Sequence, residues 1–168
     1  MLKLVAAPNA LKGSLTPLQA AAAIANGARR ALPDAEVREL AIADGGDGTA
    51  EVICVARGGT FRETPASDPL GRVRTARYAW LPDGTAVIDV ATGSGLALLS
   101  SGERDALRAS SHGTGELIRA ALRAGAQRIV LGVGGSATVA VCVTSSVAAR
   151  QHDNSFERSE CDWGLEQN

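Results

Sequence analysis

Short apolar runs alternate with amphipathic stretches along the first 138 residues of the chain. The apolar and β-branched runs predict strands at residues 2–7, 37–41, 60–65, 72–80, 85–91 and 127–133. The amphipathic stretches predict helices at residues 17–32, 50–56 and 113–124, with a helical turn within 93–99. Strands that alternate with helices are typical of an α/β fold, so we expect a mostly parallel sheet with flanking helices.

Two local signals refine this prediction. Thr16 is followed by Pro17 and, three residues on, by Gln19, which together predict a capping box at a helix start. Pro82-Asp83-Gly84 is a turn signal between two β-rich runs, so the strands at 72–80 and 85–91 are predicted to form a β-hairpin.

Length and composition limit the class of protein. The chain has 168 residues, of which 45% are hydrophobic and 21% charged, so we expect one globular region rather than disorder throughout. The longest apolar runs fall short of the roughly 18 residues of a spanning helix, and the apolar N-terminus is too short for a signal peptide. The formal net charge of −1 offers no basic surplus for nucleic acid. We therefore expect a cytoplasmic protein that binds neither membrane nor nucleic acid.

The character of the sequence changes at Val139. Residues 151–168 contain one arginine and five acidic residues, and they lack any periodicity. We predict that residues 139–168 form a poorly ordered tail and that the α/β region ends at residue 138. The 3 cysteines are widely spaced with no Cys-x-x-Cys, which argues against a disulfide framework or a zinc site.

Three loops of small residues each follow a predicted strand. Two of them precede a predicted helix, and the third precedes the predicted tail at residues 139–168. Such loops lie at the carboxyl ends of strands, where open α/β folds bind ligands, and their N–H groups can bind phosphate. The three are residues 8–14, with Asn9, Lys12 and Ser14; residues 44–49, with Asp44 and Asp47; and residues 132–138, with Gly134, Gly135, Ser136 and Thr138.

Each loop also has a purely structural interpretation. Lys12 suits a point-charge contact to phosphate, but an ordinary surface lysine is the commoner case. Asp44 and Asp47 suit a base and a Mg²⁺ ligand, and equally a tight glycine-rich turn. The 132–138 loop lacks the Gly-Lys-Ser/Thr ending of a Walker A motif, so alone it is weak support for phosphate binding.

In order along the chain, these segments resemble the bacterial type I glycerate kinases. The resemblance runs through residues 7–14 (APNALKGS), 43–49 (ADGGDGT), 68–71 (DPLG), 94–96 (SGL), 112–118 (HGTGELI) and 132–138 (GVGGSAT). It implies phosphorylation of a hydroxyl of D-glycerate by ATP with Mg²⁺, and a fold of two α/β domains with the site between them.

The resemblance also implies roles for individual residues. Lys12 is expected to steady a phosphate or the glycerate carboxylate, and Asp44 to act as a base or as a carboxylate on the metal. Substrate, phosphate or Mg²⁺ contacts are expected from the remaining candidates: Asn9, Ser14, Asp47, Gly134, Gly135, Ser136 and Thr138.

The chain departs from the family pattern in three places. Asn9-Ala10-Leu11 stands where members usually have Asp-Ser-Phe, and Asp47 where they have Glu. After Thr138 the family continues with Asn-Asp-Gly-Gly, whereas Val139-Ala140-Val141-Cys142 follows here. The chain is therefore interpreted as an N-terminal part of a glycerate kinase. The alternative to an active kinase is a catalytically incomplete fragment that binds nucleotide or a small acid weakly.

Overall fold

The computed structural model describes residues 1–138, and the predicted tail at 139–168 lies outside the described residues. Residues 1–138 form six strands and four α-helices, with two short 3₁₀ turns between the third and fourth helices. In chain order they are β1 (Lys3–Ala6), α1 (Pro17–Ala31), β2 (Glu36–Glu39), α2 (Thr49–Ala56), β3 (Thr60–Ser67), β4 (Val73–Trp80), β5 (Thr85–Asp89), α3 (Val90–Ser94), the 3₁₀ turns Leu96–Leu98 and Ser101–Glu103, α4 (His112–Arg123) and β6 (Arg128–Gly132).

The strands form one small parallel sheet and one mixed sheet. β1 and β2 pair in parallel, with Leu4 opposite Val37. The second sheet has the order β3-β4-β5-β6. Strand β4 pairs antiparallel with both β3 and β5, and β5 pairs in parallel with β6. The α/β class and the hairpin between β4 and β5 are therefore confirmed.

The core of the mixed sheet lies on both of its faces. On one face, α4 packs Leu117, Ile118 and Ala121 against Tyr78 and Ile88 of β4 and β5. On the other face, α2 packs Ala50 and Cys54 against Ala79, Leu81 and Val87. Because aromatic residues make up only 3% of the chain, this core consists mostly of alanine, valine, leucine and isoleucine.

Helix α1 covers one face of the small sheet. Ala20, Ala21 and Ala25 are its buried face. The predicted capping box is confirmed: the Thr16 hydroxyl accepts the N–H of Gln19, and the Gln19 side chain accepts the N–H of Thr16. These two bonds satisfy donors that a helix start leaves without partners.

Strand β5 ends earlier than the sequence predicts. The expected strand at 85–91 stops at Asp89, and Val90 and Ala91 begin α3. The cause is tertiary: the buried Ser94 and Thr114 hydroxyls lie 2.7 Å apart, and the Thr114 hydroxyl donates to the Val90 carbonyl. This contact with α4 favours a helical turn over the β-propensity of the segment.

Apolar side chains remain exposed at the sheet edges. Among residues 1–138, β6 pairs only with β5 and β1 only with β2. Val5, Leu40, Val130 and Val133 are each more than 40% exposed.

Within residues 1–138, no helix is both long enough and apolar enough to cross a bilayer.

Two helical glycines provide a matched test of the packing. A Cβ at Gly113 of α4 would overlap the Ser67 carbonyl oxygen of β3, whereas a Cβ at Gly27 of α1 would meet nothing within 4 Å. We expect Gly113→Ala to lower the free energy of unfolding by roughly 1–3 kcal/mol or more. Gly27→Ala should raise it by about 0.5–1 kcal/mol. Urea unfolding of both variants measures this, and equal effects would contradict the described packing of α4 on β3.

Candidate active site

The loop after β1 and the loop before α2 meet at Asp44. The Gly46 N–H donates to Asp44 Oδ1 over 2.9 Å and is the largest cause that lowers the pKa of Asp44. A hydrogen bond from the Asn9 side chain and the charge of Lys12 lower that pKa further. Asp44 is exposed, so an ionised carboxylate faces solvent beside Lys12 and Asn9.

Lys12 and Ser14 lie on a tight exposed turn. The Leu11 and Leu15 backbones pair across it, and Gly13 has a φ of 75°, a conformation that favours glycine. Lys12 forms no ion pair within the part of the chain that the structure describes. Its ammonium group is therefore available to an anion.

The loop after β6 lies directly against the loop before α2. The Gly134 N–H donates to the Gly45 carbonyl over 2.7 Å. A Cβ on Gly134 would lie 2.7 Å from the Gly46 Cα, and one on Gly132 would lie 3.0 Å from the Gly45 carbonyl oxygen. Side chains at Gly132 and Gly134 would therefore push the two loops apart.

The Asp47 carboxylate also lies at the contact between the 44–49 and 132–138 loops, next to Gly135. Its φ is 71°, and a Cβ there would overlap the Asp47 Oδ1. The structure thus places Asp47 over the 132–138 loop, while Asp44 faces Asn9 and Lys12. The two carboxylates of the 44–49 loop therefore contact different loops: Asp44 the 8–14 loop, and Asp47 the 132–138 loop.

The far side of the 132–138 loop is fixed by the segment after α3. The Leu96 N–H donates to the Gly135 carbonyl over 2.9 Å, and the Ala137 N–H donates to the Ser94 carbonyl over 2.8 Å. The Ser136 and Thr138 hydroxyls lie 2.8 Å apart, and the Thr138 N–H donates to the Ser136 Oγ. Ser94 and Leu96, which bond to this loop, belong to the 94–96 segment of the family pattern.

Sequence reasoning missed Asp89, the last residue of β5. Its carboxylate is buried and accepts the Gly48 N–H over 3.1 Å and the Ala50 N–H over 2.9 Å. Burial raises the pKa of Asp89 to about 6, and the two hydrogen bonds oppose that shift. A carboxylate that ends an otherwise apolar strand was the available signal in the sequence.

The two remaining family segments lie in turns and helix contacts rather than among these loops. Buried Asp68 accepts the N–H groups of Leu70 and Arg72, which closes the turn between β3 and β4. Glu116 accepts the Ser67 N–H over 2.6 Å and so ties α4 to β3. Both arrangements are structural.

A groove of about 440 Å³ lies elsewhere, between α2 and the β5–β6 edge. It contains none of the predicted site residues, and its walls are largely apolar, with Val52, Ile53, Val87 and Val130 among them. The groove also contains Arg57 and Arg128, but both form ion pairs with Asp83. Lys12 has no ion pair within residues 1–138, so the loops described above are the better candidate for a phosphate site.

A comparison with protein-family models identifies the family of this chain. A model described as "Glycerate kinase family" matches residues 4–150. The chain belongs to the glycerate kinase family. The match extends to residue 150, whereas the curated relatives named below align over about 138 residues, so the boundary at 138 stays a prediction.

Curated relatives and one solved structure support the family. The chain is 44% identical over 138 residues to the Bacillus subtilis glycerate kinase and to the Escherichia coli glycerate 2-kinase. Those alignments cover 82% of this chain but 36% of each relative. A Salmonella typhimurium LT2 crystal structure, reported as a candidate glycerate kinase 2, matches with a TM-score of 0.65 at 43% identity, over 82% of this chain and 38% of that one. The chain thus spans little more than a third of these glycerate kinases.

The raised pKa of Asp89 predicts how stability depends on pH. Its pKa of about 6 lies above the ordinary value of 3.8, so its contribution to stability is present below about pH 4 and is lost as the pH rises through about 6. We expect the stability difference between Asp89→Asn and the unsubstituted chain to shift in favour of the variant from about pH 4 to about pH 7.

Urea unfolding at several pH values measures this difference. Asp83→Asn is the control: hydrogen bonds with Thr85 lower the pKa of Asp83, so its stability difference from the unsubstituted chain should stay nearly constant from about pH 4 to about pH 7. Asp83 contributes stability above about pH 4 that is lost as the pH falls. If Asp89→Asn and the unsubstituted chain kept a constant difference over this range, the assigned environment of Asp89 would be wrong.

Proposed function

We propose that this chain supplies one side of the active site of an ATP-dependent glycerate kinase. The observation that carries the proposal is the convergence of the 8–14, 44–49 and 132–138 loops, which includes Lys12, Asp44, Asp47 and Gly134. Phosphoryl transfer is catalysed mainly by positioning and by stabilisation of charge, and these loops offer a cation, carboxylates and backbone N–H groups.

Lys12 is the proposed anion contact. Its ammonium is exposed, has no ion-pair partner within residues 1–138, and lies close enough to lower the pKa of Asp44. A phosphate or the glycerate carboxylate placed there would gain a point-charge interaction. Asn9 and Ser14, on the same loop, would supply hydrogen bonds.

Asp44 is the proposed base. Its carboxylate is exposed and ionised at neutral pH, and hydrogen bonds with Gly46 and Asn9 fix it beside the 8–14 loop. The same hydrogen bonds lower its pKa and so weaken it as a base, and its acceptance of the glycerate hydroxyl proton would therefore depend on its position. Asp47 lies over Gly135 instead, which suits a role toward the phosphates. Gly135 and Ser136 would donate N–H groups to phosphate oxygens, and Ser136 and Thr138 would donate hydroxyls. Gly134, whose N–H donates to the Gly45 carbonyl, would serve by letting the two loops approach closely.

The two carboxylates also fit Mg²⁺ held together with the nucleotide. Mg²⁺ commonly takes one or two carboxylates and completes its shell with phosphate oxygens and water. In the described residues, no group of three or more His, Cys, Asp and Glu side chains could hold a metal ion. Asp47 would hold the ion together with ATP, whose phosphate charge it would neutralise, and Asp44 would be a second ligand only in its alternative role as a metal carboxylate.

The length of the chain supports the alternative, a catalytically incomplete fragment. It spans 36% of the curated glycerate kinases that it matches, and the resemblance implies a site between two domains. A site of that kind closes only when both sides are present. Turnover of D-glycerate by the 168-residue chain, measured against a control without protein, distinguishes an active kinase from a fragment.

The proposed residue roles are tested in a full-length chimera. In it, residues 1–138 of this chain replace the matching segment of the Bacillus subtilis glycerate kinase. We expect Lys12→Ala and Asp44→Asn each to lower turnover about 100-fold or more, because each removes a charge that acts on the reacting groups.

Matched controls are Lys3→Ala and Asp34→Asn, which remove an exposed lysine and an exposed aspartate away from the loops. Both should leave turnover within about twofold, as expected for exposed residues far from a site. A coupled assay with ATP, Mg²⁺ and D-glycerate measures all four variants. Unchanged turnover in Lys12→Ala or Asp44→Asn would remove that residue from the proposed site.

A further inference from the structure

We infer that Asp89 is a positioning residue of the proposed kinase site, where its buried carboxylate holds the 44–49 loop against the 132–138 loop. This inference rests on the proposed function for its catalytic consequence. Its structural part, the fixing of one loop by a carboxylate from β5, stands on the hydrogen bonds alone.

The first observation concerns the start of α2. The residue before the helix is Gly48, which has a φ of 89° and no side chain with which to cap the helix. Asp89 takes that role from 41 residues away, since its Oδ2 accepts the Gly48 N–H and its Oδ1 accepts the Ala50 N–H. A carboxylate at a helix N-terminus is favoured both by these bonds and by the helix dipole.

The second observation concerns the other loop. Asp89 pairs with Gly132 in the parallel register of β5 and β6. A Cβ on Gly132 would lie 2.9 Å from the Asp89 Oδ1 and 3.0 Å from the Gly45 carbonyl oxygen. The carboxylate therefore lies where the end of β6, the 44–49 loop and α2 meet.

This placement also restricts where phosphate can bind. Two N–H groups at the start of α2 already donate to Asp89, so they are not available to a ligand. In the 132–138 loop, the N–H groups of Gly134, Ala137 and Thr138 also have partners. Phosphate is thereby directed to Lys12 and to the N–H groups of Gly135 and Ser136. The acidic groups that act on Asp89 are Asp47 and Glu51, and both raise its pKa, which adds to the effect of burial.

The experiment compares Asp89→Asn and Asp89→Glu with a matched control, Asp68→Asn. Asp68 is likewise buried and accepts backbone N–H groups, but it does so in the β3–β4 turn. Two measurements are made: amide hydrogen exchange in the 168-residue chain, and kcat and KM in the chimera of residues 1–138 with the Bacillus subtilis enzyme.

We expect Asp89→Asn to speed exchange at Gly48 and Ala50 at least tenfold, with exchange in β4 unchanged. In the chimera, kcat should fall at least tenfold while KM for ATP and glycerate changes less than about threefold, because a shift of about 1 Å in a catalytic loop affects the reacting geometry most. Asp68→Asn should speed exchange at Leu70 and Arg72 only, and leave kcat unchanged.

Unchanged exchange at Gly48 and Ala50, or unchanged kcat, in a folded Asp89→Asn variant overturns the inference. If that variant does not fold, Asp89→Glu decides the question: it keeps the charge but displaces the carboxylate by one methylene, and a kcat equal to that of the unsubstituted chimera overturns the inference. A chimera that carries no substitution and shows no turnover counts against the proposed function, whereas the exchange measurement still decides the structural part.

Discussion

The candidate site depends on one backbone contact, the hydrogen bond from the Gly134 N–H to the Gly45 carbonyl. At 2.7 Å this bond brings two glycine-rich loops together with no side chain between them. A Cβ on Gly134 would collide with the backbone of Gly46, so the sequence at these positions is constrained by the approach of the loops. The rest of the site follows, because Asp44 and Asp47 are placed by the loop that this contact holds.

The fold supplies this contact through the pairing of β5 with β6. Because the two strands are parallel, their carboxyl ends meet at one edge, where Asp89 lies opposite Gly132. Helix α2 packs on the sheet through Ala50 and Cys54 and starts at the same edge. The buried Asp89 carboxylate and the two closely packed glycine-rich loops are thus positioned by the same pair of strands, β5 and β6.

The local parts of the structure could be predicted from the sequence, and the long-range parts could not. The Thr16 capping box and the β4–β5 hairpin depend on residues close in sequence, and both were correctly predicted. The role of Asp89 depends on Gly48 and Ala50, about 40 residues earlier, which no local pattern connects to β5. The early end of β5 has the same kind of cause, a contact between Val90 and Thr114. The expected roles of site residues such as Lys12 came from the family resemblance. The structure adds which residues lie next to them, as Asp44 does for Lys12.

The central claim is that the 8–14, 44–49 and 132–138 loops form one ligand-binding surface. A crystal structure of the chimera with D-glycerate, Mg²⁺ and a non-hydrolysable ATP analogue tests this claim most directly. The account predicts phosphate oxygens about 3 Å from the N–H groups of Gly135 and Ser136, with the glycerate hydroxyl near Asp44. Phosphates bound at the groove beside α2, or at a distance from all three loops, would contradict it.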